Sequence, residues 1–139
     1  MNILVIDAQG GGIGRQLVAK LLERIPEAYI VAAGTNSMAT NAMIKAGAKK
    51  AATGENAIRY CASQAEIITG PIGILVANAM LGEISPAIAE SVGSSTAPKV
   101  LIPTAHCNTI IAGTKALPVK DSIEDAVDRI VRIHGGEDN

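Results

Sequence analysis

Three observations predict a single doubly wound α/β domain with a mostly parallel sheet in the strand order 3-2-1-4-5. Short apolar runs alternate with helix-period segments along the 139 residues, with no repeat, linker or low-complexity stretch between them. Such alternation calls for right-handed crossovers and a parallel sheet. The first run, Asn2–Ile6, is apolar almost without a break, as a strand covered on both faces must be, and this places it at the sheet centre. It continues through Asp7 into Ala8-Gln9-Gly10-Gly11-Gly12-Ile13-Gly14, where a helix pattern begins at once.

Each element follows from its own pattern. After strand Asn2–Asp7, Ile13, Leu17, Leu21, Leu22 and Ile25 recur at helical spacing, with Arg15, Lys20, Glu23 and Arg24 largely outside that stripe, until Pro26 stops the helix. Tyr29–Ala33 is strand two. Asn36 or Ser37 caps a helix that runs to Ala46 and ends at Gly47. Ala48–Ala52 is placed as strand three, and Thr53 or Gly54 opens a helix to about Ala62. Glu66–Thr69 is strand four, stopped by Gly70-Pro71, and Ile72–Leu81 fits either a strand or a buried helical turn. Ser85-Pro86 starts a helix with a capping hydroxyl and a first-turn proline, and this helix runs to Val92 before Gly93. Lys99–Ile102 is strand five and Thr109–Ala112 a candidate strand six. Asp121 with Glu124 resembles a capping box for a last helix whose stripe is Ile123, Val127, Ile130, Val131 and His134.

Composition narrows the function. Apolar residues make up 48% and charged residues 18%, which supports one folded domain over 1–134 with a flexible tail at 135–139. With two Tyr, no Phe or Trp and a net charge of −1, the chain lacks both the stacking platforms and the basic groove of a nucleic-acid binder. Cys61 and Cys107 match no metal spacing or disulfide framework, so no metal is expected. The start at Met1 has no signal-peptide pattern, and Ile67–Leu81 is broken by Gly70-Pro71, Gly73 and Asn78, so the expected location is the cytoplasm, with no membrane partner. The apolar excess points to a homo-oligomer, most simply a dimer.

A strand, a glycine turn and a helix N-terminus make a concave row of N–H groups that suits phosphate. Two roles fit the glycines: a phosphate cradle, or tight strand–helix packing. A nucleoside-triphosphatase loop would need Gly-Lys-Ser/Thr where Gly14-Arg15-Gln16 stands, which excludes triphosphate hydrolysis of that kind. The ligand expected is therefore a nucleotide or dinucleotide held by Asp7, Gln9, Gly10, Gly11, Gly12, Ile13 and Gly14, with Arg15 and Gly70 nearby and Thr35, Asn36 and Ser37 at the adenosine ribose. No carboxylate stands in Gly34-Thr35-Asn36-Ser37, where an acid would bond the 2′-hydroxyl of NAD, and this favours NADP over NAD as cofactor. Thr104-Ala105-His106-Cys107-Asn108 is the second candidate site: His106 could act as general acid or base and Cys107 as nucleophile, against the simpler role of a small buried thiol.

The loop Ala8–Gly14 resembles the Gly-x-x-x-Gly-x-Gly turn of short-chain dehydrogenases, with Ala8 in place of the first glycine. The resemblance stops there, because the Tyr-x-x-x-Lys pair of those enzymes is absent: Tyr60 is followed four residues later by Gln64. Val5-Ile6-Asp7, the Gln9–Gly14 loop, Gly70-Pro71-Ile72-Gly73 and Leu81–Pro86 together resemble a small bacterial family of uncharacterised Rossmann-like proteins, a domain of unknown function. That likeness implies the fold and brings no catalytic residue. Tyr29–Asn36, Gly70-Pro71 and Pro103–Ile110 are loosely similar to the phosphate-binding segments of methylglyoxal-synthase-like domains, where a carboxylate and a histidine transfer protons. Two functions follow as expectations: a nucleotide-binding sensor or accessory module without its own catalytic apparatus, or a small enzyme using His106, with or without Cys107, on a phosphorylated metabolite.

Overall fold

The structure is a computed structural model that describes residues 1–104, 109–115 and 117–137. Five strands form one parallel sheet in the order β3-β2-β1-β4-β5, with β1 at Asn2–Asp7, β2 at Tyr29–Gly34, β3 at Lys50–Thr53, β4 at Ile67–Pro71 and β5 at Lys99–Ile102. Helices α1 (Gly12–Arg24), α2 (Ser37–Ala46), α3 (Glu55–Gln64), α4 (Pro86–Ser94) and α5 (Val119–His134) complete the layers. The alternation of β1 side chains explains the layering. Ile3 and Val5 pack under α1, α2 and α5 with Leu17, Leu21, Met43 and Ile123, whereas Leu4 and Ile6 pack under α3 and α4 with Ile58, Ile88 and Val92. The central place of β1 is thus the direct result of its unbroken apolar run.

Several boundaries differ from the sequence reading. Strand β4 does not stop at Gly70-Pro71; it includes both, paired to Leu101 and Ile102 of β5. The ladder to β1 ends at Val5↔Thr69, and the Ile68 N–H points toward Pro98 O on the β5 side, so by alternation the missing N–H of Pro71 falls where β1 has already left the ladder. Of the two readings of Ile72–Leu81, the buried helical turn holds for its first part, where Gly73 and Ile74 are buried, and the strand does not. The segment is a 3₁₀ turn, Ile72–Leu75, followed by tight turns. Helix α4 runs through Gly93 to Ser94, because a glycine weakens a helix without forbidding it once Ile88 and Val92 are buried. Strand β3 lies two residues later than Ala48, at a solvated edge that apolar periodicity marks poorly.

Thr109–Ala112 is no strand, and Asp121–Glu124 is no capping box. Pro118 caps α5, Asp121 lies in its first turn, and Glu124 pairs with Lys20 of α1 at 3.5 Å. Other termini follow their residues closely. Asn36 caps α2 by accepting the Ala39 N–H at 2.9 Å, Gly47 ends it in the left-handed region, and Ser85 caps α4 through Ile88 N–H at 3.2 Å. Among the described residues, no helix is long and apolar enough to cross a membrane.

Candidate functional site

In a parallel sheet the ligand crevice opens beyond the carboxyl ends of the strands, at the point where strand order reverses. Here that point lies between β1 and β4. A crevice of about 200 Å³ sits there, lined by Asp7, Gln9, Gly10–Ile13, Pro71, Met80 and Thr104. Larger hollows of about 480 and 470 Å³ lie beside β5 and α5 around Leu117, Ile111 and Lys115, and one of about 520 Å³ lies between α1 and α2. The smaller crevice is the better candidate, since there the backbone donors of the glycine loop and the N-terminus of α1 meet beyond the carboxyl end of β1.

Asp7 organises this loop. Its side chain is 4% exposed; Oδ1 accepts the Ala8 N–H at 2.8 Å and Oδ2 accepts the Gly14 N–H at 2.7 Å. Gly14 is the third residue of α1, so Asp7 performs from the strand the capping that Gly11, with no side chain, cannot. Burial pushes the Asp7 carboxyl above its ordinary range; the bonds from Gly14 and Ala8 pull it down and the nearby Glu83 charge pushes it up again.

The four glycines divide into two pairs. Gly11 and Gly14 are buried, and a Cβ at either would collide: 2.8 Å from the Ala39 backbone at Gly11, and 2.9 Å from Asp7 Cβ at Gly14. Gly11 also sits at φ +73°, which favours glycine. Gly10 and Gly12 are exposed, and a Cβ on either would meet nothing within 4 Å. The packing role expected of the glycines thus falls to Gly11 and Gly14, while Gly10 and Gly12 face open space at alternate positions. The Gln9 N–H goes to Glu83 and the Gly11 N–H to Ala8 O, whereas those of Gly10, Gly12 and Ile13 have no acceptor among the described residues.

The end of β2 corrects the sequence reading most. The expected absence of an acid there rested on residues 34–37, but Glu83, from the connection between β4 and α4, fills the place. Its Oε1 accepts from the Thr35 hydroxyl at 2.7 Å, the Gln9 N–H at 2.9 Å and the Asn36 amide at 3.0 Å. Partial burial alone would push the Glu83 carboxyl up, but these three donors outweigh it and hold it below its ordinary range. Asn36 also donates to Gln9 O at 3.0 Å, so the glycine loop and the β2 end are tied together.

The candidate residues are thus separated. Asp7, Gln9, Gly10, Gly11, Gly12 and Ile13 line the crevice. Arg15 and Ser37 do not; with Asn41, Lys45 and the shared Gly10 they border an adjoining open basin between α1 and α2. Thr35 and Asn36 are engaged by Glu83. Gly14 and Gly70 are buried packing positions, the latter with its missing Cβ only 2.3 Å from Ile6 O. His106 and Cys107 lie outside the described residues, as do 138–139 of the expected tail. No group of three or more His, Cys, Asp or Glu placed to hold a metal occurs among the described residues.

Fold and crevice together define a Rossmann-like parallel α/β protein with a glycine loop at the switch point. Residues 2–135 match the family described as a domain of unknown function, DUF3842, and the chain belongs to that family. A comparison with curated protein sequences gives no significant match. Among solved structures, the chain is similar to a dodecameric FMN-dependent UbiX-like decarboxylase from Escherichia coli O157:H7, at 16% identity and a TM-score of 0.50, over 98% of this chain and 95% of that one. At that identity the likeness concerns the fold.

Proposed function

We propose that the crevice binds the phosphate of a nucleotide cofactor, and that the protein is a binding module which holds this ligand without turning it over. The observation that carries the reading is the set of three loop N–H groups, at Gly10, Gly12 and Ile13, which lack acceptors among the described residues where two exposed glycines leave open space. The solved neighbour is named as FMN-dependent, and one such cradle suits a flavin phosphate or a dinucleotide pyrophosphate equally. The sequence-based preference for NADP loses its premise at Glu83.

Melting curves with FMN, NAD, NADP and ATP test this. A ligand at about 100 times its dissociation constant stabilises the fold by about 2.7 kcal/mol, a clear rise in Tm. ATP gains nothing from magnesium, since the lysine and hydroxyl of a triphosphatase loop are missing. Gly12→Val melts close to the parent, because its side chain enters open space, yet loses the ligand-induced rise because that space is the cradle. If no nucleotide shifts the curve, the loop serves packing alone.

One observation favours the second reading, an enzyme using His106. Thr104 lines the crevice, and His106 follows two residues later in the sequence. Both Asp7 oxygens are committed to backbone amides, which leaves Glu83 as the carboxylate for such chemistry. Replacing His106 by Ala separates the readings: a module keeps its ligand affinity, whereas an enzyme loses turnover with its fold intact. The exposed apolar side chains Leu81, Ile110 and Leu117 accord with self-association. A dimer is the simplest form expected, and a monomer mass by light scattering at micromolar concentration would exclude it.

A further inference from the structure

We infer that Glu83 is the ribose-reading acid of this site, supplied by the β4–α4 connection rather than by β2, and that it admits an adenosine with a free 2′-hydroxyl and excludes one with a 2′-phosphate. The inference rests on the phosphate-loop reading and adds to it the class of dinucleotide.

Three features carry it. The first is position. Glu83 touches Gln9 on the loop and Thr35 and Asn36 beyond β2, the place where the adenosine ribose of a dinucleotide lies when its pyrophosphate rests at the first helix. The second is the use of its oxygens. Oε1 takes all three donors, while Oε2 has no hydrogen-bond partner among the described residues and remains available to accept from a hydroxyl.

The third is preorganisation. Met80, Leu81 and Gly82 have φ of +57°, +57° and +87° in succession, a conformation that non-glycine residues adopt only when their surroundings impose it. The turn is closed by Asn78 N–H to Ile84 O at 2.7 Å, Gly82 N–H to Asn78 O at 3.1 Å and Glu83 N–H to Met80 O at 3.2 Å. Leu81 at its tip is 99% exposed, so packing of that side chain does not explain the strained turn. What the turn accomplishes is to bring Glu83 back over the loop. An anionic carboxylate held there bonds a diol and repels a second phosphate.

The test is calorimetric titration of the full chain with NAD and with NADP, on the parent and on Glu83→Gln. Glutamine keeps an Oε1 that can accept from Thr35, Gln9 and Asn36, so the turn survives while the charge goes; an unchanged circular-dichroism spectrum and a single cooperative melting transition verify the fold. The expected result is that the parent binds NAD at least tenfold more tightly than NADP, and that Glu83→Gln narrows this ratio severalfold, mainly by improving NADP. The inference is overturned if both ligands bind the parent equally, or if the ratio is the same in the variant. Those outcomes leave the phosphate loop standing. Binding of neither ligand by the parent while FMN binds also overturns the inference and keeps the loop; binding of no nucleotide at all overturns both.

Discussion

Gly70→Ala is expected to destabilise the protein by about 3 kcal/mol or more, a fall in Tm of about 10 °C, which makes it the most damaging single-methyl change in the sheet. Gly70 lies in β4 at φ +154°, and a Cβ there would stand 2.3 Å from the carbonyl oxygen of Ile6 in β1. That neighbour is backbone of the central strand, so it cannot turn aside as a side chain could. Relief requires β1 and β4 to separate at their carboxyl ends, where the crevice opens. Chemical denaturation of Gly70→Ala and Gly12→Ala checks the assignment. Gly12→Ala is nearly neutral, because its Cβ meets open space, whereas Gly70→Ala removes a substantial part of the fold's margin. Equal, small losses would contradict the close approach of the two strands.

Asp7→Ala is expected to cost about 2–3 kcal/mol near neutral pH, because the buried N–H groups of Ala8 and Gly14 lose their acceptors. Relief from burying a charge offsets part of the loss. Asp7→Asn is no gentler, since its amide nitrogen must face one of those two N–H groups. The pH dependence has a definite sign. Burial raises the Asp7 pKa above 3.8, so the protonation-linked part of its contribution is fully present below that value and is lost as pH rises through the folded-state pKa, while the bonds to Ala8 and Gly14 remain. The gap between parent and Asp7→Ala therefore narrows toward neutrality. Glu83 behaves oppositely: its pKa is lowered from 4.5, so its contribution is present above that value and disappears as pH falls through the folded-state pKa. Denaturation from about pH 3 to about pH 8 should show the Asp7→Ala gap shrinking while the Glu83→Gln gap opens. Parallel slopes would contradict the burial of Asp7.

Local signals settled much of this molecule. The unbroken apolar run of Asn2–Ile6 fixed β1 at the centre, because only a strand covered on both faces tolerates it. Asn36, Gly47 and the Ser85-Pro86 pair marked helix ends through chemistry confined to neighbouring residues. The glycine loop was legible as a strand–turn–helix junction for the same reason. Where a signal depended on packing, it misled: Gly93 and Gly70-Pro71 read as stops, yet buried neighbours and a strand paired on one side carried the elements through them.

The site divides along the same line. That Asp7 and Gly10–Gly14 belong together was determined by sequence, since seven residues of chain hold them there. Which glycines pack and which face open space was decided by Ala39 and Met43 of α2, elements that no spacing around the loop could reveal. Glu83 is the clearest case. It reaches Gln9 across 74 residues and Thr35 across 48, by way of a turn whose left-handed backbone at Met80 and Leu81 has no composition signal. Residues 34–37 hold no acid, and the fold brings one to the β2 end from another crossover. Covalent neighbours fix local geometry, whereas a contact between distant segments exists only once the sheet has brought their connecting loops to one edge.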